Sequence, residues 1–316
     1  MNAFGGIESG GSKWNLAIAT APGELTASET IPTTTPAETI DRAAAFFERE
    51  GPVDAIGIGS FGPVDTNIDS TTWGYVTTTP KPGWAHTDLG GRIARRLSVP
   101  VAFDTDVNAA ALGEHCLGAA RGLDTFCYIT VGTGIGGGGL ANGRLMHGLL
   151  HPELGHMRIP HDRVRDPFDG ACPYHGDCLE GLASGEAIRQ RWGLGADQLD
   201  DDGAWELEAE YLALGIVNVV CMLSPQRVVI GGGVMKQPVL LPLTRRRVRE
   251  LLAGYVDVPQ LLEGVDDYVV PPALGDRAGV VGALELARRL LSSEPETGAG
   301  PGAQPTTREV SAHGPT

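Results

Sequence analysis

Two short stretches of this chain read alike, and the likeness limits the folds open to it. Residues 3–8 are largely apolar and run into Ser9-Gly10-Gly11-Ser12, after which residues 13–19 return as a strand. Residues 125–131 are again apolar, run into Gly132-Thr133-Gly134, and return over 135–141. Strand, glycine turn, strand is the pattern of a β-hairpin. One such unit begins each half of the chain, so the sequence predicts an α/β protein built in two related halves.

The two turns also suggest a ligand. Gly10, Gly11, Ser12 and Lys13 offer backbone N–H groups, a hydroxyl and an ammonium to an anion. They do not form a Walker A loop, which needs Gly-Lys-Ser/Thr and a following helix; here the order is Gly11-Ser12-Lys13 and a strand follows. Gly132, Gly134 and Gly137 spell G-x-G-x-x-G, but a dinucleotide site needs a helix next. Asn142-Gly143 instead predicts another hairpin turn. A third cluster, Gly231-Gly232-Gly233-Val234, follows a strand over 227–230 and would let backbone approach a flat base. With 45 glycines, many of them in turns, backbone-built ligand loops are expected.

A second feature lies between Glu153 and Glu180. His156, Cys172, His175 and Cys178 supply two imidazoles and two thiolates, the donor set of a closed tetrahedral zinc site. His151-Pro152-Glu153 satisfies half of a zinc deaminase signature, but the other half requires P-C-x-x-C. Five residues separate Cys172 from Cys178, and four protein ligands leave no open position. The zinc is therefore read as structural, pinning a loop that carries Glu153 and Glu180 at its ends. Cys116, Cys127 and Cys221 lie in apolar contexts and read as buried thiols, which fits a reducing cytoplasm.

Net charge is −15, and the only basic run is Arg245-Arg246-Arg247, read as one exposed helix face. That argues against a nucleic-acid partner. No run of apolar residues is long enough to span a membrane, and the first residues lack the pattern of a signal peptide. A cytoplasmic protein is expected. Thr35-Pro36-Ala37-Glu38 predicts a capped helix to about Glu50. A strand over 53–60 ends in Phe61-Gly62-Pro63-Val64-Asp65. Residues 73–84 read as a surface loop lining a cleft, with Lys81 and Trp84 as candidate contacts. Thr87 or Asp88 caps a helix to Ser98, and a strand over 99–103 leads through Asp104-Thr105-Asp106-Val107-Asn108 into a helix over 109–117. Further helices are predicted at 184–192, 205–223, 238–252 and 276–291, with a disordered Gly/Pro/Ser/Thr/Glu-rich tail over 292–316.

Two glycine turns that could grip a polyphosphate, a third near a base, and an aspartate at a strand end describe phosphoryl transfer from a nucleotide to a hydroxyl. Such a reaction needs positioning, charge stabilisation and one base for the hydroxyl proton. An ordinary aspartate, with a pKa of about 3.9, would be ionised and ready. On residue type and position alone Asp104 and Asp106 compete equally.

The chain resembles the sugar kinases of the ROK family, within the actin/hexokinase-like ATPases, over roughly residues 5–290. The motifs that carry the resemblance are GIESGGSK, GIGSFGPVD, DTDVNAAALGE, VGTGIGGG, HPELGH with CPYHGDCLEG, and VVIGGGV. It implies a two-lobed, ribonuclease H-like α/β fold with a structural zinc loop. The smaller lobe would be 1–112 plus 276–291, and the larger 113–275. Asp106 matches the family's catalytic base. Gly10–Lys13 and Gly132–Gly137 match its two phosphate loops, with Thr133 near the γ-phosphate. Gly231, Gly232, Gly233 and Val234 match its adenosine loop. Glu153, His156 and Glu180 match sugar-hydroxyl ligands, with Gly62 and Lys81 on the sugar side and His156 also a zinc ligand. ATP, Mg²⁺ and Zn²⁺ are the implied cofactors, a sugar and ATP the partners, and a homodimer the assembly.

Three departures refine the expectation. Thr105-Asp106-Val107-Asn108 stands where ROK glucokinases usually carry Asn-Asp-Ala-Asn. Cys172-Pro-Tyr-His175-Gly-Asp-Cys178 replaces C-x-C-G-x-x-G-C, and Lys81 stands near the place of an Asn. All three are similar to the bacterial zinc-containing fructokinases, so the expected reaction is ATP-dependent phosphorylation of D-fructose to fructose 6-phosphate. The alternatives are a glucokinase, mannokinase or N-acetylhexosamine kinase. From another class comes a sugar-sensing ROK regulator without a DNA-binding domain, disfavoured because such regulators carry a helix-turn-helix before the first hairpin and the first strand is expected here within a few residues of Met1.

Overall fold

The computed structural model describes residues 2–292. The chain opens with β1 (Phe4–Ser9), β2 (Lys13–Ala19), β3 (Leu25–Pro32), α1 (Pro36–Glu50) and β4 (Ala55–Ser60). Two short strands, β5 (Tyr75–Val76) and β6 (Thr87–Asp88), precede α2 (Leu89–Leu97), β7 (Val101–Thr105) and α3 (Asp106–Leu117). The second half runs β8 (Phe126–Val131), β9 (Ile135–Ala141), β10 (Arg144–Leu145), α4 (Leu179–Ala183), α5 (Gly185–Trp192), α6 (Asp202–Leu223) and β11 (Val228–Gly231). It closes with α7 (Leu240–Leu252), α8 (Pro259–Leu262), α9 (Val265–Tyr268), β12 (Val269–Val270) and α10 (Ala278–Ser292).

The likeness of the two halves extends to their sheets. The first has the order β3-β2-β1-β4-β7 and the second β10-β9-β8-β11-β12. In each, an antiparallel hairpin supplies the first central strand, and parallel strands follow: β1 pairs with β4 and β4 with β7, while β8 pairs with β11 and β11 with β12. Asn142 and Gly143 both have positive φ, 52° and 77°, as a tight two-residue hairpin turn requires.

Each half has its own apolar core. Ile7, Trp14, Leu16, Ile56 and Ile58 centre the first, and Ile129, Val131, Leu212, Ile216 and Ile230 the second. Helices α3 and α10 lie between them. They approach so closely that a Cβ on Gly282 would stand 1.6 Å from the Ala109 carbonyl oxygen, and one on Gly113 2.3 Å from that of Ala278. This packing fixes the axis of α3, whose first residue is Asp106.

Several local expectations need correction. The helix expected from Ala109 begins at Asp106, with Thr105 as its N-cap accepting from the Asn108 N–H at 3.0 Å. Trp84 is no ligand contact: it is fully buried, packs against Trp14 and Phe61, and donates from Nε1 to the Thr34 carbonyl. Thr35 caps α1, but Glu38 does not reach back to its N–H; the carboxylate accepts from the Thr34 hydroxyl instead. Cys127 is buried, whereas Cys221 is exposed. Of the basic run, Arg246 and Arg247 pair with Glu206, Glu210 and Glu250, and Arg245 donates to the carbonyls of Asp266 and Val269. The expected tail lies outside the described residues, apart from Ser292, which ends α10. No helix among the described residues is long and apolar enough to cross a membrane.

Candidate active site

Both glycine turns open on one cavity of about 960 Å³. Gly11 and Ser12 line it from the first half, and Gly132, Thr133, Gly134 and Gly137 from the second. Asp106 stands between them, and Gly62, Lys81, Glu153, His156 and Glu180 complete the wall. A second cavity of about 490 Å³ holds Lys13, Gly231, Gly232 and Gly233, and Thr130 lines both. Two of the residues expected to bind nucleotide line neither. The Gly10 N–H is spent on the Lys13 carbonyl at 3.0 Å, and Val234 is buried in the second core.

The geometry separates the two competing aspartates. Asp104 is buried, and its oxygens receive the Thr105 N–H at 2.7 Å, the Asn108 amide at 2.9 Å and His147 Nε2 at 2.9 Å. A carboxylate so occupied orients a buried network. Asp106 accepts the Val107 N–H at 2.9 Å, receives no side-chain donor among the described residues, and lines the large cavity. Burial raises its pKa to about 7, with the nearby Glu8 carboxylate adding to the effect. The ordinary value expected from sequence is thus corrected. A proton acceptor poised near neutral pH is the better general base, because correct protonation and driving force are then balanced.

Glu153 is likewise raised to about 7, first by burial and then by the charge of Glu180. Glu180 spends one oxygen on the Ile135 N–H at 2.9 Å, so a residue expected on the sugar side also braces the second glycine turn.

Glu8 was missed in the sequence. It lines the second cavity, accepts from the Asn15 amide at 2.8 Å, and its pKa is raised, first by burial. A carboxylate within the otherwise apolar strand Phe4–Ser9, just before a glycine turn, is the signal that could have found it. Glu8 and Asp106 line neighbouring cavities that share Thr130, and their charges repel one another. A divalent cation there would relieve that repulsion, which suits the pair to Mg²⁺ carried by a polyphosphate. Met235, Leu241, Pro271 and Pro272 supply the apolar side of the second cavity, as a flat base requires.

His156, Cys172, His175 and Cys178 form the only group of three or more such side chains among the described residues with metal-holding geometry, their ligand atoms all within 4.8 Å of one another. His156 Nδ1 lies 3.7 Å from Cys172 Sγ, 3.6 Å from Cys178 Sγ and 3.3 Å from His175 Nδ1. Zinc–ligand bonds of about 2.3 Å to sulfur and about 2.0 Å to nitrogen give tetrahedral edges of about 3.5 Å for S···N and about 3.3 Å for N···N. The donor set therefore fits zinc in both chemistry and spacing. With Nδ1 turned to that centre, His156 Nε2 faces Glu153 Oε2 at 4.0 Å, so one ring joins the metal cluster to the cavity wall.

Known proteins are similar to this chain over nearly its whole length. The profile of the ROK family matches residues 4–290. A putative fructokinase from Bacillus subtilis is 45% identical over 93% of this chain and 98% of its own length. A fructokinase from Zymomonas mobilis is 44% identical, covering 90% of this chain and 96% of that protein. Among solved structures, a ROK glucokinase from Streptomyces griseus in complex with glucose and AMPPNP superposes with a TM-score of 0.74 at 28% identity, covering 91% of this chain and all of that one.

Proposed function

The chain belongs to the ROK family, and from that membership we infer an ATP-dependent kinase of the two-lobed, actin-like fold that phosphorylates D-fructose on its 6-hydroxyl. The observation that carries the chemistry is the single cavity shared by two glycine turns, Asp106 and the Glu153–His156–Glu180 wall. The choice of fructose is supported by five relatives, four described as fructokinases and one as a putative fructokinase, 38–45% identical over nearly the whole chain. Relatives described as glucokinases are 28–29% identical.

In this reading the backbone N–H groups of Gly11, Ser12, Thr133 and Gly134 take the phosphates, the Gly132 N–H being spent on the Gly134 carbonyl at 2.9 Å, and Gly231–Gly233 take the adenosine. Asp106 accepts the proton of the 6-hydroxyl as that oxygen bonds to the γ-phosphorus and the bond to ADP breaks. Glu153, His156, Glu180, Gly62 and Lys81 hold the sugar. Mg²⁺, carried by the triphosphate beside Glu8 and Asp106, would neutralise charge on the transferring phosphoryl group. Zn²⁺ on His156, Cys172, His175 and Cys178 would fix the wall that carries Glu153 and Glu180. The division into 1–112 with 276–291 and 113–275, a homodimer and a cytoplasmic site complete the proposal. Light scattering tests the assembly.

An ADP-release assay across fructose, glucose, mannose and N-acetylhexosamines tests the reaction. Fructose is expected to give the highest kcat/KM. A higher value for an aldohexose would overturn the choice of sugar, and turnover of no hexose would overturn the kinase reading.

A further inference from the structure

His151 is buried, with a side chain 4% exposed, and it lines the large cavity without belonging to the zinc cluster. Its Nε2 lies 3.1 Å from the backbone nitrogen of Val64, 87 positions away in the other half of the chain. Val64 N–H can only donate, so Nε2 accepts and, in the neutral ring, the proton sits on Nδ1. Burial lowers the ring's pKa and so favours that neutral form. Nδ1 in turn faces the Pro152 carbonyl at 3.4 Å and Glu153 Oε1 at 3.6 Å.

The segment held by this bond is itself part of the sugar side. Phe61, Gly62 and Pro63 line the cavity. The Thr77 N–H donates to the Pro63 carbonyl at 2.8 Å, and Val64 bridges to Val76. That tie carries the position of Val64 on to Thr78, Thr79 and Lys81, which also line the cavity. One imidazole therefore touches the loops of the first half through Nε2 and the Glu153 side of the second through Nδ1.

Building on the proposed kinase activity, we propose that His151 is a positioning residue for the sugar. As the Nδ1–H tautomer it registers the Phe61–Val64 loop against Glu153, so that acceptor-binding groups from both halves meet the hexose together. It touches neither the second cavity nor Asp106, so its effect falls on the sugar rather than on the nucleotide or the proton transfer.

The test compares wild type with His151→Leu and His151→Gln, measuring KM for fructose, KM for ATP, kcat and Tm. Gln keeps an acceptor near the place of Nε2, whereas Leu leaves the Val64 N–H without one. Leu is expected to raise the KM for fructose about tenfold, the cost of one buried donor left unpaired. KM for ATP and kcat should stay within about twofold, and Gln should recover most of the fructose KM. An unchanged fructose KM in the Leu variant overturns the proposal. So does a parallel loss in both KM values and kcat, or a Gln variant no better than Leu at equal Tm. A wild type inactive on fructose would instead overturn the reading of the reaction, and the role of His151 with it.

Discussion

The turn at Gly10–Ser12 is closed by its own sheet. Gly10 N–H donates to the Lys13 carbonyl at 3.0 Å, Thr33 N–H to that of Ser12 at 3.0 Å, and the Thr33 hydroxyl to that of Gly10 at 2.7 Å. The turn at Gly132–Gly134 has one closing bond of its own, from the Gly132 N–H to the Gly134 carbonyl at 2.9 Å, and is otherwise held from outside, by α4 and α5. Gly185 N–H donates to the Gly132 carbonyl at 2.7 Å, Glu186 N–H to that of Thr133 at 3.2 Å, and Glu180 accepts from the Ile135 N–H at 2.9 Å. Two hairpins with one local logic thus have different dependencies. The first is a self-contained grip. The second shares Glu180 with the cavity wall that holds Glu153 and His156, so whatever moves α4 moves that turn as well.

Removing the group between the turns gives the largest expected effect. Asp106→Asn should lower kcat by about 10²–10⁴-fold, the usual contribution of a general base, while both turns and nucleotide affinity persist. Near-normal turnover would show that neither turn delivers its phosphate to Asp106. Metal removal comes next and strikes one turn only. Chelation should lower Tm and loosen the wall carrying Glu180, weakening the second turn and leaving the first intact. Structural zinc contributes on the order of 10 kcal/mol to folding in small zinc peptides. An unchanged Tm after chelation and proof of metal loss would detach the cluster from the turn.

What could be read in the sequence follows the same division. The hairpins, the Asn142-Gly143 turn and the His156, Cys172, His175 and Cys178 cluster are short-range patterns, and their residues carry the signal themselves. Three residues show where that signal stops. Trp84 sits in a Pro-rich stretch that reads as surface, yet it is buried because Trp14 of β2 and Phe61, just past the end of β4, cover it. Asp104 and Asp106 are two apart, so a strand would place them on one face. They diverge because α3 starts at Asp106, while Asn108 and His147 occupy Asp104. His151 stood out only as half of a failed deaminase signature, since Val64 lies in the other half of the chain.

A pair of glycine substitutions sharpens the comparison directly. A Cβ on Gly134 would stand 2.5 Å from Glu180 Oε2, whereas one on Gly11 would meet nothing within 4 Å. Gly134→Ala should therefore displace the Glu180 carboxylate and cost about 10–100-fold in kcat/KM, as expected for a misplacement near 1 Å. Gly11→Ala should stay within about threefold. Equal losses would mean that the turns are equally dependent on their surroundings.

The smallest effect is on stability and concerns the charge held between the turns. Asp106 and Glu153 have ordinary values of 3.8 and 4.5 when unfolded and about 7 in the folded protein. Between those limits the folded state holds more protons than the unfolded one. The stability these groups contribute in acid is therefore lost as pH rises through about 7. Asp106→Asn removes one of them, so its Tm should exceed that of wild type by a few degrees at about pH 8 and converge with it below about pH 4. The activity of wild type should run the other way, with kcat/KM falling below about pH 7 as the base takes up its proton. Adding Mg²⁺ with a non-hydrolysable ATP analogue should shrink the Tm gap, because a cation beside Glu8 and Asp106 relieves the repulsion that Asn removes. A gap unchanged by nucleotide and metal would place the triphosphate away from Asp106, leaving the two turns without a shared ligand.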